Sequence, residues 1–131
     1  MGILAGLISE NVDRHTQDIT TLTATASITT ADHSGRTLLM GEVGGDAAAT
    51  FTLPAATGTG SVFKFVVSVV NTSNYLIKVA DATDTIDGQI IITDADGTAA
   101  TSFVTAAASD TITLNGTTTG GGAIGDYVEV I

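Results

Sequence analysis

The sequence predicts an all-β domain, an antiparallel β-sandwich or barrel-like (jelly-roll-like) fold, preceded by an N-terminal arm. Three observations point there. Thr, Ala and Gly dominate and Pro occurs once; Thr, Val and Ile suit a pleated, half-buried surface better than a helix. About nine short runs of alternating residues are separated by turn signals at roughly ten-residue intervals, the spacing of a sandwich or barrel. Strands do not alternate with helical patterns, so a parallel α/β sheet is not expected, and no fixed period suggests a solenoid.

Residues 1–18 read as an arm and 19–131 as the β-domain. In the arm, Ile3, Leu4, Leu7 and Ile8 have the spacing of one face of a short helix. The polar run SENVDRHTQD follows. ITTLTATASITT (19–30) alternates in part and opens the domain as a strand. ADHSG (31–35) is a turn, since Asp, Ser and Gly each favour one. RTLLMGE (36–42) is a second strand and VGGDA (43–47) a second turn. ATFTLP (49–54) places Phe51 and Leu53 on one face and ends at Pro54, which has no ladder donor.

After the small-residue crossing AATGTGS comes VFKFVVSVV (62–70). Phe63, Phe65, Val67 and Val69 point one way; Val62, Lys64, Val66, Ser68 and Val70 point the other. Apolar residues on both sides predict a central strand covered on both faces. NTSN turns the chain into the strand YLIKVA (75–80), followed by the acidic loop DATDTIDG (81–88). QIIIT (89–93), TSFVT (101–105), TITLNG (111–116) and DYVEVI (126–131) complete the strands.

The 131 residues suffice for one domain with a modest core. Hydrophobic residues reach 44%, but much of that is Ala, with four Phe, two Tyr and no Trp. A core this thin favours association as a further source of burial. The net charge of −10 disfavours nucleic acid and anionic membranes as partners. Arg14, Arg36, Lys64 and Lys78, the four basic residues, are too dispersed along the chain to read as a patch. Without cysteine there are no disulfides or thiolate metal sites. MGILAGLISENVDR has no basic n-region and too short an apolar run to act as a secretion signal or to span a membrane.

Few residues offer chemistry. His15 and His33 lie in polar stretches and read as exposed turn residues, not a metal pair. Ser34 adjoins His33 without a nucleophile-elbow motif. Asp81, Asp84 and Asp87 recur at threes, and Asp94 and Asp96 form DADG. Such a run can supply some of the six to eight oxygens calcium takes, but the full EF-hand loop is absent. GTG and GGG lack the lysine and the strand–helix frame of a phosphate loop. Paired aspartates could hydrolyse glycosides, yet Tyr75 and Tyr127 are the aromatics expected to be available to line a sugar cleft. No catalytic residue, metal or cofactor is therefore expected, and the chain does not read as an enzyme.

SITTADHSGRTLLM, TFTLPAATGTGSVFKFVV, YLIKVA, DTITLNG and GDYVEVI, in that order over residues 27–131, resemble the small β-domains of tailed-bacteriophage structural proteins. These occur as head decoration (cement) proteins and as modules of tail fibres. The resemblance implies a β-rich homotrimer attached to a capsid or fibre, with no catalytic residues. Domains of this kind commonly continue with a DGT-x-W-Y-like hairpin, which is not present before Ile131. The distinct arm and the lack of repeated modules favour decoration: a trimer bound to the major capsid protein on the virion exterior, stabilising the shell. Leu4, Leu7, Ile8 and Arg14 are the expected capsid contacts, and Val62, Val66 and Val70 the expected subunit interface. The alternative is a tail-fibre or receptor- or carbohydrate-binding module using the 81–96 loops.

Overall fold

Strand formation follows the alternation, but the route between strands does not. The computed structural model describes residues 18–93, 100–117 and 122–131. Ten strands run in order: β1 (Ile19–Leu22), β2 (Ala26–Ser27), β3 (Thr37–Met40), β4 (Ala49–Thr52), β5 (Phe63–Val67), β6 (Tyr75–Lys78), β7 (Gln89–Thr93), β8 (Ala100–Val104), β9 (Thr111–Leu114) and β10 (Tyr127–Val130). Among the described residues one sheet has the order β1-β3-β5-β10, a second β2-β4-β6-β9, and β7 pairs only with β8. The fold is all-β, in mixed sheets.

The antiparallel expectation is corrected. β1, β3 and β5 are parallel to one another, as are β2, β4 and β6. Only β9, β10 and the β7–β8 hairpin pair antiparallel. The reason lies in the winding. From β1 to β6 the chain visits the two sheets alternately, so each return to a sheet passes through a strand of the other one. That intervening strand is the crossover that parallel neighbours require; no helix is needed. In the first sheet position 37 lies beside 19 and 64 beside 37. In the second, 51 lies beside 26 and 77 beside 51. The unequal steps in the first sheet hide the winding from a search for a fixed period.

Two local differences have plain causes. The opening run 19–30 forms two strands in different sheets, β1 and β2, instead of one. The expected turn at 31–35 begins as a one-turn helix, α1 (Thr30–His33). Thr29 caps it: its hydroxyl oxygen accepts from the Asp32 backbone N–H at 3.2 Å, and the same hydroxyl donates to the Asp32 carboxylate at 2.8 Å. The chain leaves the helix through Ser34, in extended conformation, and Gly35 at φ 74°.

The two four-stranded sheets share one core. Leu22, Met40 and Val67 form one inward row, and Leu38 and Phe65 belong to the next. The second sheet answers with Phe51 beside Ile77, and Ala49, Tyr75 and Leu114 in line. Phe51 joins the sheets: its ring lies 6.0 Å from that of Phe65 and 6.0 Å from that of Tyr75. Burial of each such side chain is worth about 1.5–3 kcal/mol. As the alternation predicts, Phe63, Phe65 and Val67 are buried, and β5 is central, between β3 and β10. Its other side is not covered by the described residues: Val66 and Lys64 are half-buried.

Tyr75 also satisfies polar groups at one end of this core. Its hydroxyl donates to the Val69 carbonyl at 2.9 Å and accepts from the Glu42 backbone N–H at 3.1 Å. The buried Glu42 carboxylate in turn accepts from the backbone N–H groups of Asp46 (3.1 Å) and Ala47 (3.4 Å), which closes the turn after β3.

Candidate interaction surface

The outward side of the first sheet is built from two rows that cross all four strands. Ile19, Thr37, Lys64 and Glu129 form one; Thr21, Leu39, Val66 and Tyr127 form the other. Because side chains alternate along a strand, these positions face away from the core that Leu38, Phe65 and Val67 fill. Leu39 and Val66 are half-buried, and Tyr127 is 65% exposed. The outward side of the second sheet is different in kind, with Ser27, Thr50, Thr52, Thr111 and Thr113 around Leu76 and Lys78.

A shallow groove of about 190 Å³ opens beside the first of these rows, lined by Gly35, Arg36, Thr37, Val62, Lys64 and Glu129. Two basic residues distant in sequence meet here because Thr37 and Lys64 are register partners. Arg36 forms an ion pair with Asp18 at 3.4 Å, which ties residue 18, assigned by sequence to the arm, to the domain. Lys64 makes no ion pair among the described residues; its ammonium sits 5.0 Å from the centre of the Tyr127 ring. The carboxylate of Glu129, its register partner on β10, makes no hydrogen bond or ion pair among them.

Comparison with known proteins finds no match. No family model, no curated protein and no solved structure matches the chain.

The sequence-predicted residues fall as follows. Val66 lies on the outward side of β5; Val62 just precedes that strand and lines the groove, and its carbonyl accepts from the Gly35 N–H at 2.8 Å. Val70 lies beyond the end of β5 and is 47% exposed. Leu4, Leu7, Ile8, Arg14 and His15 lie outside the described residues, as do Asp94 and Asp96. His33 caps the short helix, its Nδ1 accepting from the Thr29 backbone N–H at 3.0 Å, and Ser34 ends that helix.

The acidic loop is organised by its own backbone. Asp81 Oδ1 accepts from the Thr83 N–H (2.7 Å), the Thr83 hydroxyl (2.6 Å) and the Asp84 N–H (3.2 Å). The Thr83 hydroxyl, first, and then the backbone donors hold the Asp81 carboxyl below its ordinary value. Asp84 accepts from the Ala56 N–H at 3.2 Å. Asp87 is exposed and has no bonded partner among the described residues. No three metal-ligating side chains come together among the described residues. Tyr75, one of the two tyrosines available to a sugar cleft, is fully buried.

Sequence reasoning missed the meeting of Arg36 with Lys64 and the structural role of Tyr75. The first depends on parallel register, which local pattern does not encode. The second had a signal: a tyrosine on the inward phase of an alternating strand needs a buried partner for its hydroxyl.

Proposed function

We propose that this chain is a structural virion protein that binds the outside of a bacteriophage capsid as a homotrimer and stabilises the shell. The observation that carries this reading is apolar β surface that the described residues leave uncovered. Leu39, Val66 and Tyr127 lie on the outward face of one sheet, and Phe103, Val104, Ile124 and Ile131 are exposed elsewhere. The residue order from SITTADHSGRTLLM to GDYVEVI, which resembles phage decoration domains, gives that surface its context. Covering it requires neighbours, and a ligand that binds only the assembled shell stabilises that shell by mass action.

In this reading Val62 and Val66 face a neighbouring subunit, with Val70 at the margin. Leu4, Leu7, Ile8 and Arg14 contact the major capsid protein. The role needs no catalytic group, cofactor, nucleic acid or membrane. The carbohydrate-binding alternative is less well supported, because Tyr75 is buried and Asp81 and Asp84 are engaged by their own turns or by Ala56.

The test is cosedimentation of the purified protein with undecorated phage heads, with light scattering to give its mass alone. A trimer that pellets with heads and raises their thermal stability is the expected result. Failure to bind heads, together with selective binding on a glycan array, would overturn the reading.

A further inference from the structure

Asn115 follows β9 directly and is the one asparagine of the chain with glycine after it. A glycine there leaves the next backbone nitrogen unshielded by a side chain. The surroundings add three features. Asn115 Oδ1 accepts from the Thr117 backbone N–H and from the Thr117 hydroxyl, both at 2.8 Å. Two donors at that range stabilise negative charge as it develops on a carbonyl oxygen. The Gly116 N–H donates to no partner among the described residues. A Cβ on Gly122 would lie 2.5 Å from the Gly116 nitrogen, so glycine at 122 keeps that nitrogen uncovered. Gly116 itself is exposed, which admits water.

Asn71 makes a similar turn without these features. Its Oδ1 accepts from the Ser73 N–H at 2.7 Å. Yet Asn71 is buried, and the N–H after it, that of Thr72, is held by the Gly45 carbonyl at 2.8 Å. Thr72 is also β-branched, which crowds its own nitrogen. The Asn115 amide nitrogen, for its part, donates to the Ser73 carbonyl at 3.0 Å and to Asn74 Oδ1. It thereby ties the end of β9 to the turn that leads into Tyr75.

We propose that Asn115 and Gly116 form a self-modifying site, at which the Gly116 nitrogen closes on the Asn115 side-chain carbonyl carbon and the asparagine becomes aspartate or isoaspartate. The Gly116 nitrogen loses its proton to solvent and bonds to Cγ, while the Thr117 donors hold the charge that forms on Oδ1. The Cγ–Nδ2 bond breaks, and ammonia leaves with a proton taken up from solvent. Water then opens the cyclic imide: hydroxyl goes to the attacked carbonyl carbon and a proton returns to the Gly116 nitrogen. Opening at Cγ gives aspartate; opening at the backbone carbonyl carbon gives isoaspartate. Nothing is oxidised or reduced. Either product removes the amide donor that Ser73 and Asn74 accept from and adds one negative charge, which loosens the 71–74 turn. The inference does not depend on the capsid reading.

The experiment ages the full chain in mildly alkaline buffer and follows ammonia release, isoaspartate by enzymatic methyl labelling, and the modified position by peptide mapping. The folded wild type is expected to react at Asn115 and to leave Asn71 intact. Gly116→Ala slows the reaction about tenfold, a change of only about 1.4 kcal/mol in the barrier. Its Cβ would meet nothing closer than the Asn71 carbonyl oxygen at 3.4 Å, so the fold is kept. Thr117→Ala removes one donor from Oδ1 and slows the folded protein severalfold, but has no effect in urea, where the turn is lost. Asn115→Asp reproduces one product and lowers the urea midpoint. Circular dichroism checks each fold, and Gly116→Ala decides the matter if Thr117→Ala does not fold. No product from the folded wild type, equal reaction at Asn71, or an unchanged rate in Gly116→Ala overturns the site. So does a folded Thr117→Ala that reacts as fast as wild type, or one whose slowing persists in urea.

Discussion

The phenolic oxygen of Tyr75 accepts the backbone N–H of Glu42 at 3.1 Å while its proton goes to the Val69 carbonyl at 2.9 Å. One side chain from the second sheet thereby holds the chain as it leaves β3 and as it leaves β5, both strands of the first. Tyr75→Phe keeps the ring and removes both bonds. The buried Glu42 N–H is then left unsatisfied, at a cost of about 1–3 kcal/mol. Urea unfolding measures it, and an unchanged midpoint would contradict the assignment.

Phe51 touches the rings of both Phe65 and Tyr75. Phe51→Ala opens a cavity where the two sheets meet. The expected loss is about 3–5 kcal/mol, read from the same denaturant titration. A loss below about 1 kcal/mol, the scale of a surface substitution, would mean that the site is not the centre of the core.

Gly45 and Gly35 both have left-handed backbone, at φ 67° and 74°. They differ in surroundings. A Cβ on Gly45 would lie 2.6 Å from the Val70 carbonyl oxygen, whereas one on Gly35 would meet nothing within 4 Å. Gly35→Ala should therefore cost only the conformational penalty, about 1–2 kcal/mol. Gly45→Ala should cost more than that, because backbone must also move. Paired melting curves test the order of the two, and a reversed order would refute the crowding at Gly45.

Asp81 has its carboxyl held below the ordinary 3.8 by the Thr83 hydroxyl and by backbone donors. A depressed folded value means that the contribution to stability is fully present above 3.8 and is lost as pH falls through the lowered value. The carboxylate is solvent-exposed, so the effect is small. Asp81→Asn should flatten the acid limb of a stability–pH curve and leave its slope near neutrality unchanged. A steeper acid limb in the variant would reverse the assigned sign.

Much of the strand content was legible locally. Phe51, Phe65 and Val67 are buried where their alternation places them, because alternation is a property of the strand itself. Which strand pairs with which was not legible. The residues that set the order β1-β3-β5 are ordinary Thr, Leu and Val, and parallel pairing leaves no turn motif between partners, as a hairpin does. The groove was hidden for the same reason, since Arg36 and Lys64 meet only through the register of β3 with β5. The valines chosen for an interface were partly separated by geometry: Val66 is on the outward side of β5 and Val62 just precedes it at the groove, but Val70 lies three residues past its end. The polar end of the core went unread because Glu42 follows a hydrophobic run and looks like an ordinary strand terminus.

The alternate winding of β1 to β6 through two sheets also has a mechanical consequence. Over β1 to β6 neither layer can be unzipped by itself, since each connecting segment of one includes a strand of the other. A pull on this chain would strip strands from opposite sides in turn, so resistance to tearing is spread through the whole particle and does not rest on a single seam.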